Sequence, residues 1–223
     1  MTDHGMEDPQ ALLTELCGRD FTAFLRKAWP WITGGEMLLW NWHLDAVAYH
    51  LERIEDGLSR RALINLPPRN GKSKTIAVIW VAWMLGRDPT LNFVCVSYSN
   101  ELSGKMARDC RAVMEAPWYQ DIFPGTRISR SRKASYDFET TRGGGRLATS
   151  VTGTLTGRGG DIIILDDVIK PEEANSETTR NFVNDWYRST PASRLNDKMN
   201  GVIRCVMPRP HEDDLYGLNL AQG

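Results

Sequence analysis

Gly71-Lys72-Ser73 follows a short apolar run, Ala62 to Leu66, and a proline pair, Pro67-Pro68, and it opens a longer apolar run from Lys74 to Leu85. Read in order, this is strand, loop and helix. Such a loop aims its backbone N–H groups and the positive end of the helix at one point, an arrangement that holds a phosphate. Lys72 would bridge β- and γ-phosphate oxygens, and the Ser73 hydroxyl would ligate Mg²⁺. Pro68, Arg69, Asn70, Gly71 and Thr75 complete the expected contacts to a nucleotide such as ATP. The sequence departs from G-x-x-x-x-G-K-[ST] at one place, where Leu66 stands at the first glycine position.

A triphosphate bound this way needs a carboxylate for its metal, and Ile162 to Asp167 (IIILDD) supplies one. Four apolar residues ending in acid describe a central strand that delivers the carboxylate at its C-terminal edge, where open α/β sheets bind ligands. Asp166 would hold Mg²⁺, and Asp167 would orient or polarise the attacking water. ATPases of this kind mostly carry Glu at the second place. Asp167 is one methylene shorter, so Glu172 and Glu173 stand as fallback candidates. An arginine that neutralises charge growing on the γ-phosphate has two candidates. Arg69 sits in the phosphate loop itself, and Arg158, among the glycines of TLTGRGGD, could reach a neighbouring subunit; each also reads as a surface arginine held by a turn. His211-Glu212-Asp213-Asp214 follows a strand and Pro210 and has no second histidine at helical spacing. Its acids therefore read as dipole complements at a helix start, with nucleotide sensing ahead of metal binding. Trp42-His43 reads either as a pair packing on adenine or as a core aromatic beside a satisfied histidine, with the core reading slightly ahead.

The elements that must position these residues alternate between strand and helix. Leu12 to Trp29 and Trp40 to Ile54 read as amphipathic helices, with Pro30 and Gly34-Gly35 marking a loop between them. Ala62 to Leu66 reads as a strand buried on both faces, and Lys74 to Leu85 as a helix packed on a sheet and stopped by Gly86 and Pro89. Asn92 to Ser97 is a second buried strand. Leu102, Met106, Cys110, Val113 and Met114 then mark one face of a helix. Ser135 to Ser150 reads as a hairpin around Gly143, Gly144 and Gly145, followed by a Gly/Thr-rich loop, the acidic strand, a helix near Ser176 to Thr190 with Phe182, Val183, Trp186 and Tyr187 on one face, and a last strand from Gly201 to Met207. Alternation of this kind gives a mainly parallel α/β sheet.

With 223 residues, 41% hydrophobic and 25% charged, the chain has an ordinary globular composition, and one large domain is expected. The most apolar stretch, Ile76 to Leu85, is too short to cross a bilayer, and the N-terminus lacks a signal-peptide pattern, so a cytoplasmic protein is expected. The four cysteines carry no C-x-x-C pair, which argues against zinc and disulfides. A net charge of −1 gives no global attraction for nucleic acid, so any DNA contact must be local. Arg127, Arg130, Arg132, Lys133, Arg142 and Arg146 form the best local cluster, against the plainer reading of a solvated face.

In order and spacing these motifs resemble the ATPase domain of the large terminase subunit of tailed bacteriophages, from about Trp40 to Leu215. Asn41 to Leu44 (NWHL) is similar to the adenine-side segment of that family. PPRNGKS resembles its divergent phosphate loop, where the missing first glycine is usual, and VSYSNELSGKMARDCR resembles the strand and helix that follow. GTLTGRGGDIIILDD is similar to the loop and metal-site strand of the Asp-Asp subgroup, and MPRPHEDDL to the coupling motif. Many members have Thr-Arg-Trp before that motif, where Pro208-Arg209-Pro210 stands here. The resemblance implies a P-loop NTPase of the ASCE type, with a helical segment over residues 1–58 packed on an ATPase core over 59–223. It implies ATP and Mg²⁺ as cofactors, with Arg209, His211, Glu212 and Asp213 in coupling. Its expected partners are double-stranded DNA, the portal protein and the small terminase subunit, in a homo-oligomeric ring docked on the procapsid in the host cytoplasm, with the isolated chain open to being a monomer. The family's ribonuclease-H-like nuclease domain is expected to be absent, and with it DNA cleavage. A nucleotide-responsive assembly module with weak hydrolysis, and a helicase-like translocase, are the alternatives.

Overall fold

The computed structural model describes residues 8–55, 57–134, 136–153 and 158–221. Seven strands form one sheet: β1 (Arg61–Asn65), β2 (Asn92–Ser97), β3 (Ile128–Lys133), β4 (Asp137–Thr140), β5 (Gly145–Ser150), β6 (Ile162–Asp166) and β7 (Val202–Met207). Their order is β1-β7-β6-β2-β5-β4-β3. Pairings from β1 through β5 are parallel, and β4 and β3 add antiparallel at the far edge. The expected α/β architecture with a mainly parallel sheet is therefore present. One strand, β7, is inserted between β1, which leads into the loop from Pro67 to Ser73, and β6, which carries Asp166.

Side chains alternate across this sheet, so β2, β6 and β7 feed a core on each face. Phe93, Cys95, Ile162, Ile164, Val202 and Val206 pack with Trp80, Trp83 and the N-terminal helices, whereas Val94, Val96, Ile163, Leu165, Ile203 and Cys205 pack on the other side with Val183. The first face is covered by α1 (Pro9–Arg19), α2 (Phe21–Thr33), a π-helical segment Lys74–Trp80 that runs into α4 (Val81–Arg87), α5 (Asn100–Met114) and α6 (Pro117–Ile122). A further helix, α3 (Trp42–Glu55), joins that layer through Val47, Ala48 and Leu51, and α7 (Glu177–Ser189) and α8 (Leu215–Ala221) cover the second face. All four cysteines are free and buried, as small apolar fillers. Among the described residues no helix is long and apolar enough to cross a membrane.

Several local expectations are corrected. The stretch from Leu12 to Trp29 is two helices, because Asp20 ends α1 and its carboxylate caps α2 by accepting from the Ala23 amide at 2.8 Å. Pro30 lies inside α2 rather than in a loop; the stop is Gly34, left-handed at φ 71°, whose amide bonds the Pro30 carbonyl. β1 is an edge strand and is half-exposed, so the double-sided burial read from its apolar run does not hold. Phe182 turns outward, 50% exposed, while Val183 alone of its expected face is buried. The basic stretch Ile128–Lys133 is strand β3, held by pairing with β4 rather than by an apolar face of its own.

Candidate nucleotide and metal site

The loop from Pro67 to Ser73 is set by two left-handed residues, Arg69 at φ 65° and Gly71 at φ 73°. Asn70 fixes the turn between them by donating to the Pro67 and Pro68 carbonyls at 3.3 and 3.2 Å. The Gly71 carbonyl then accepts from the Thr75 amide at 2.9 Å, the first bond of the helix that follows. This winding brings Lys72 and Ser73 to the carboxyl end of β6. Lys72 Nζ donates to Asp167 Oδ2 at 2.5 Å, and Ser73 Oγ donates to Asp166 Oδ1 at 3.0 Å. Asp167 reaches Lys72 because its backbone leaves the strand in a left-handed turn, φ 49°. Its amide bonds the Val206 carbonyl and its carbonyl receives the Tyr98 amide, so strands β7 and β2 hold that turn from both sides.

Asp166 is 1% exposed, and its carboxyl is pushed up to about 7 from an ordinary 3.8. Burial is the largest cause and the charge of Asp167 the next; Lys72, the Ser73 hydrogen bond and Arg146 act in the opposite direction. Asp166 Oδ2 and Asp167 Oδ1 are buried with no hydrogen-bond partner among the described residues, as is the hydroxyl of Thr75. Buried oxygens in that condition are costly unless a cation or donor reaches them.

A cavity of about 380 Å³ opens beside this constellation, lined by Trp29, Glu36, Arg69, Gly71, Lys72, Ser73 and Lys74. A second, of about 370 Å³, shares Trp29, Glu36, Arg69 and Gly71 and extends along Met37, Leu38, Leu39, Asn41, His43 and Leu44. Both are of a size that takes a small ligand. The structure therefore places His43, Asn41, Arg69, Asn70 and Gly71 on one cleft. Trp42 is 75% exposed and does not line it, which corrects the core-aromatic reading of that residue. A larger cavity, about 630 Å³ between β1, α7 and α8, is lined by Leu63, Tyr187, Ile203 and Cys205 and contains neither the lysine nor the aspartate pair.

Other sequence candidates fall elsewhere. Arg158 lies at the amino end of β6, the opposite rim of the sheet from Asp166, and pairs with Asp137 and, at 3.7 Å, with Glu139. Glu172 and Glu173 stand on an exposed turn, where Glu173 meets Lys170 at 3.6 Å. Arg209 lies over the Tyr216 ring at 5.8 Å. His211 Nδ1 accepts from the Asp213 amide at 3.0 Å, and Asp214 caps α8 through the Tyr216 and Gly217 amides. His211, Glu212 and Asp213 make no hydrogen bond or ion pair to Lys72, Ser73, Asp166 or Asp167 among the described residues; they connect to the site through β7. In the basic cluster, Arg127, Arg130 and Arg142 are at least partly exposed, but Arg146 is 1% exposed and donates to the Ala77 carbonyl at 3.3 Å inside the core, so it is removed from any surface contact. The Arg132 and Lys133 side chains and loop residues 154–157 lie outside the described parts. Trp29 and Glu36 carried no sequence signal for this cleft, because only tertiary packing brings α2 and the turn after it to the loop, whereas Lys74 directly follows Ser73 in the chain.

No protein-family model and no curated protein matches this chain. The fold is similar to a solved structure, the crystal structure of the HK97 bacteriophage large terminase, with a TM-score of 0.58 and 14% identity over 92% of this chain. The match spans 40% of that terminase chain.

Proposed function

We propose that the chain is the ATP-hydrolysing motor part of a tailed-phage large terminase, a reading supported by the fold it has in common with the HK97 protein and by the ordered motifs. The observation that carries it is the closure of the phosphate loop onto β6, with Lys72 on Asp167 and Ser73 on Asp166. The oxygen donors Ser73 and Asp166 suit Mg²⁺, and the unpartnered Asp166 Oδ2 and Asp167 Oδ1 are the atoms a cation or an ordered water would satisfy. When bound, Mg²⁺ neutralises charge on the β- and γ-phosphate oxygens.

Asp167 pairs with the Lys72 ammonium, the group that a phosphate would need. With ATP present, Lys72 would turn to the phosphate oxygens and release Asp167, which would then orient a water. The water oxygen bonds to the γ-phosphorus as the bond to the β–γ bridging oxygen breaks, and its proton passes toward Asp167. Arg69, in the loop and on the wall of the same cleft, would meet charge developing on the γ-phosphate. Because the Asp167 amide is bonded to Val206 of β7, a shift of Asp167 would be felt along the strand that leads to Arg209 and His211–Asp214. Translocation of double-stranded DNA, docking on the portal, the small terminase subunit as partner and assembly as a ring belong to the same proposal.

A steady-state ATPase assay with Mg²⁺, with and without double-stranded DNA and portal, tests it. Hydrolysis that needs Mg²⁺ and is stimulated by DNA is expected. Nucleotide-driven assembly with negligible turnover would favour the assembly-module reading, and strand separation would favour the helicase-like one.

A further inference from the structure

Trp29 belongs to α2, outside every nucleotide-binding motif of the sequence, yet its indole lies against the phosphate loop. A Cβ added at Gly71 would stand 2.7 Å from Trp29 Cη2 and 3.1 Å from Cζ3, so the ring covers the side of Gly71 that only a glycine leaves open. The same ring carries the Lys74 ammonium, 5.3 Å from its centroid, at the mouth of the cavity that Arg69 and Lys72 also line. Both cavities of the cleft have Trp29 in their walls and meet at Arg69 and Gly71, so a ligand reaching from Lys72 to His43 must pass the indole. A left-handed loop with a non-glycine residue at Arg69 persists only where its surroundings hold it.

We propose that Trp29 is a nucleotide-positioning residue: its indole braces Gly71 and holds Lys74 over the cleft, so that the phosphate loop keeps its binding shape before the nucleotide arrives. This rests on the nucleotide reading above and adds to it that the N-terminal helices are part of the site.

The full chain, with a fluorescent ATP analogue and Mg²⁺ as the probe, provides the test. Trp29→Ala is expected to raise both the analogue's Kd and the KM for ATP about tenfold, with kcat within about twofold of wild type, while Trp29→Phe, which keeps a ring against Gly71, stays within about threefold. Gly71→Ala should weaken binding more in the wild-type background than in Trp29→Ala, where the collision has been removed. An unchanged Kd in Trp29→Ala despite a lower melting temperature, or additive effects of the two substitutions, overturns the proposal. If Trp29→Ala does not fold, Trp29→Leu against Trp29→Phe decides, and equal affinities overturn it. Failure of the wild type to bind the analogue, or undiminished binding by Lys72→Ala, overturns the nucleotide reading itself.

Discussion

The buried position of Asp166 costs the fold stability. Its folded carboxyl titrates near 7 against an ordinary 3.8, so the native state holds that proton more tightly than the unfolded chain does. Stability therefore falls as pH rises from about 4 to about 7 and stays at the lower level above it. Asp166→Asn, neutral throughout, should melt higher than wild type at pH 8 in the absence of metal and nucleotide, by an amount on the order of 1–4 kcal/mol, and the gap should close near pH 4. Melts across that range check it; a gap that is constant with pH would refute the cause given. In the same variant the proposed Mg²⁺ donor is lost, so greater stability should coincide with lost turnover. Lys72→Ala, which removes the cation both Asp167 and the phosphates would use, should lower ATP turnover by about a hundredfold or more. Wild-type turnover in that variant would refute the site.

At the scale of elements, α2 is what links the N-terminal segment to the phosphate loop, and Asp20 starts it. Asp20→Ala removes an acceptor 2.8 Å from the Ala23 amide and 2.6 Å from the Thr22 hydroxyl. The loss should be about 1 kcal/mol, read as a melting temperature lower by roughly 2–4 °C. A second element-level constraint lies at the start of α8, where a Cβ at Gly217 would meet the Glu212 carbonyl oxygen at 1.7 Å. Gly217→Ala must therefore displace the His211–Asp214 turn. If that turn couples β7 to movement, DNA-stimulated turnover should drop while the basal rate is retained; equal losses in both would argue against a coupling role.

For the whole molecule, the sheet has two rims with different work. Its carboxyl rim gathers Lys72, Ser73, Asp166 and Asp167, and its amino rim holds Arg158 against Asp137 and Glu139. Within one chain Arg158 does not reach the phosphates, so a catalytic role requires a neighbour and the release of both carboxylates. Mixing Arg158→Ala with Asp167→Ala protein should restore some ATPase activity if such interfaces form. No recovery, together with a lower melting temperature for Arg158→Ala alone, would leave Arg158 as a brace between β6 and β4.

Which segments become the sheet centre is legible in the chain, because NFVCVS, IIILD and VIRCVM carry apolar residues on both faces, interrupted in VIRCVM by Arg204, and are stable only between two helical layers. Local spacing also sets Lys72 and Ser73 at the start of a helix and Asp166-Asp167 at the end of a strand. What lay beyond it were contacts between segments distant in the chain. Arg146 looks like any surface arginine in a basic stretch until pairing of β5 with β2 turns it inward under Ala77. Trp29 looks like a core residue until α2 packs beside Gly71, and Arg158 looks free until β4 brings Asp137 and Glu139 to it. Those outcomes depend on strand order and helix docking, which periodicity along one segment does not encode.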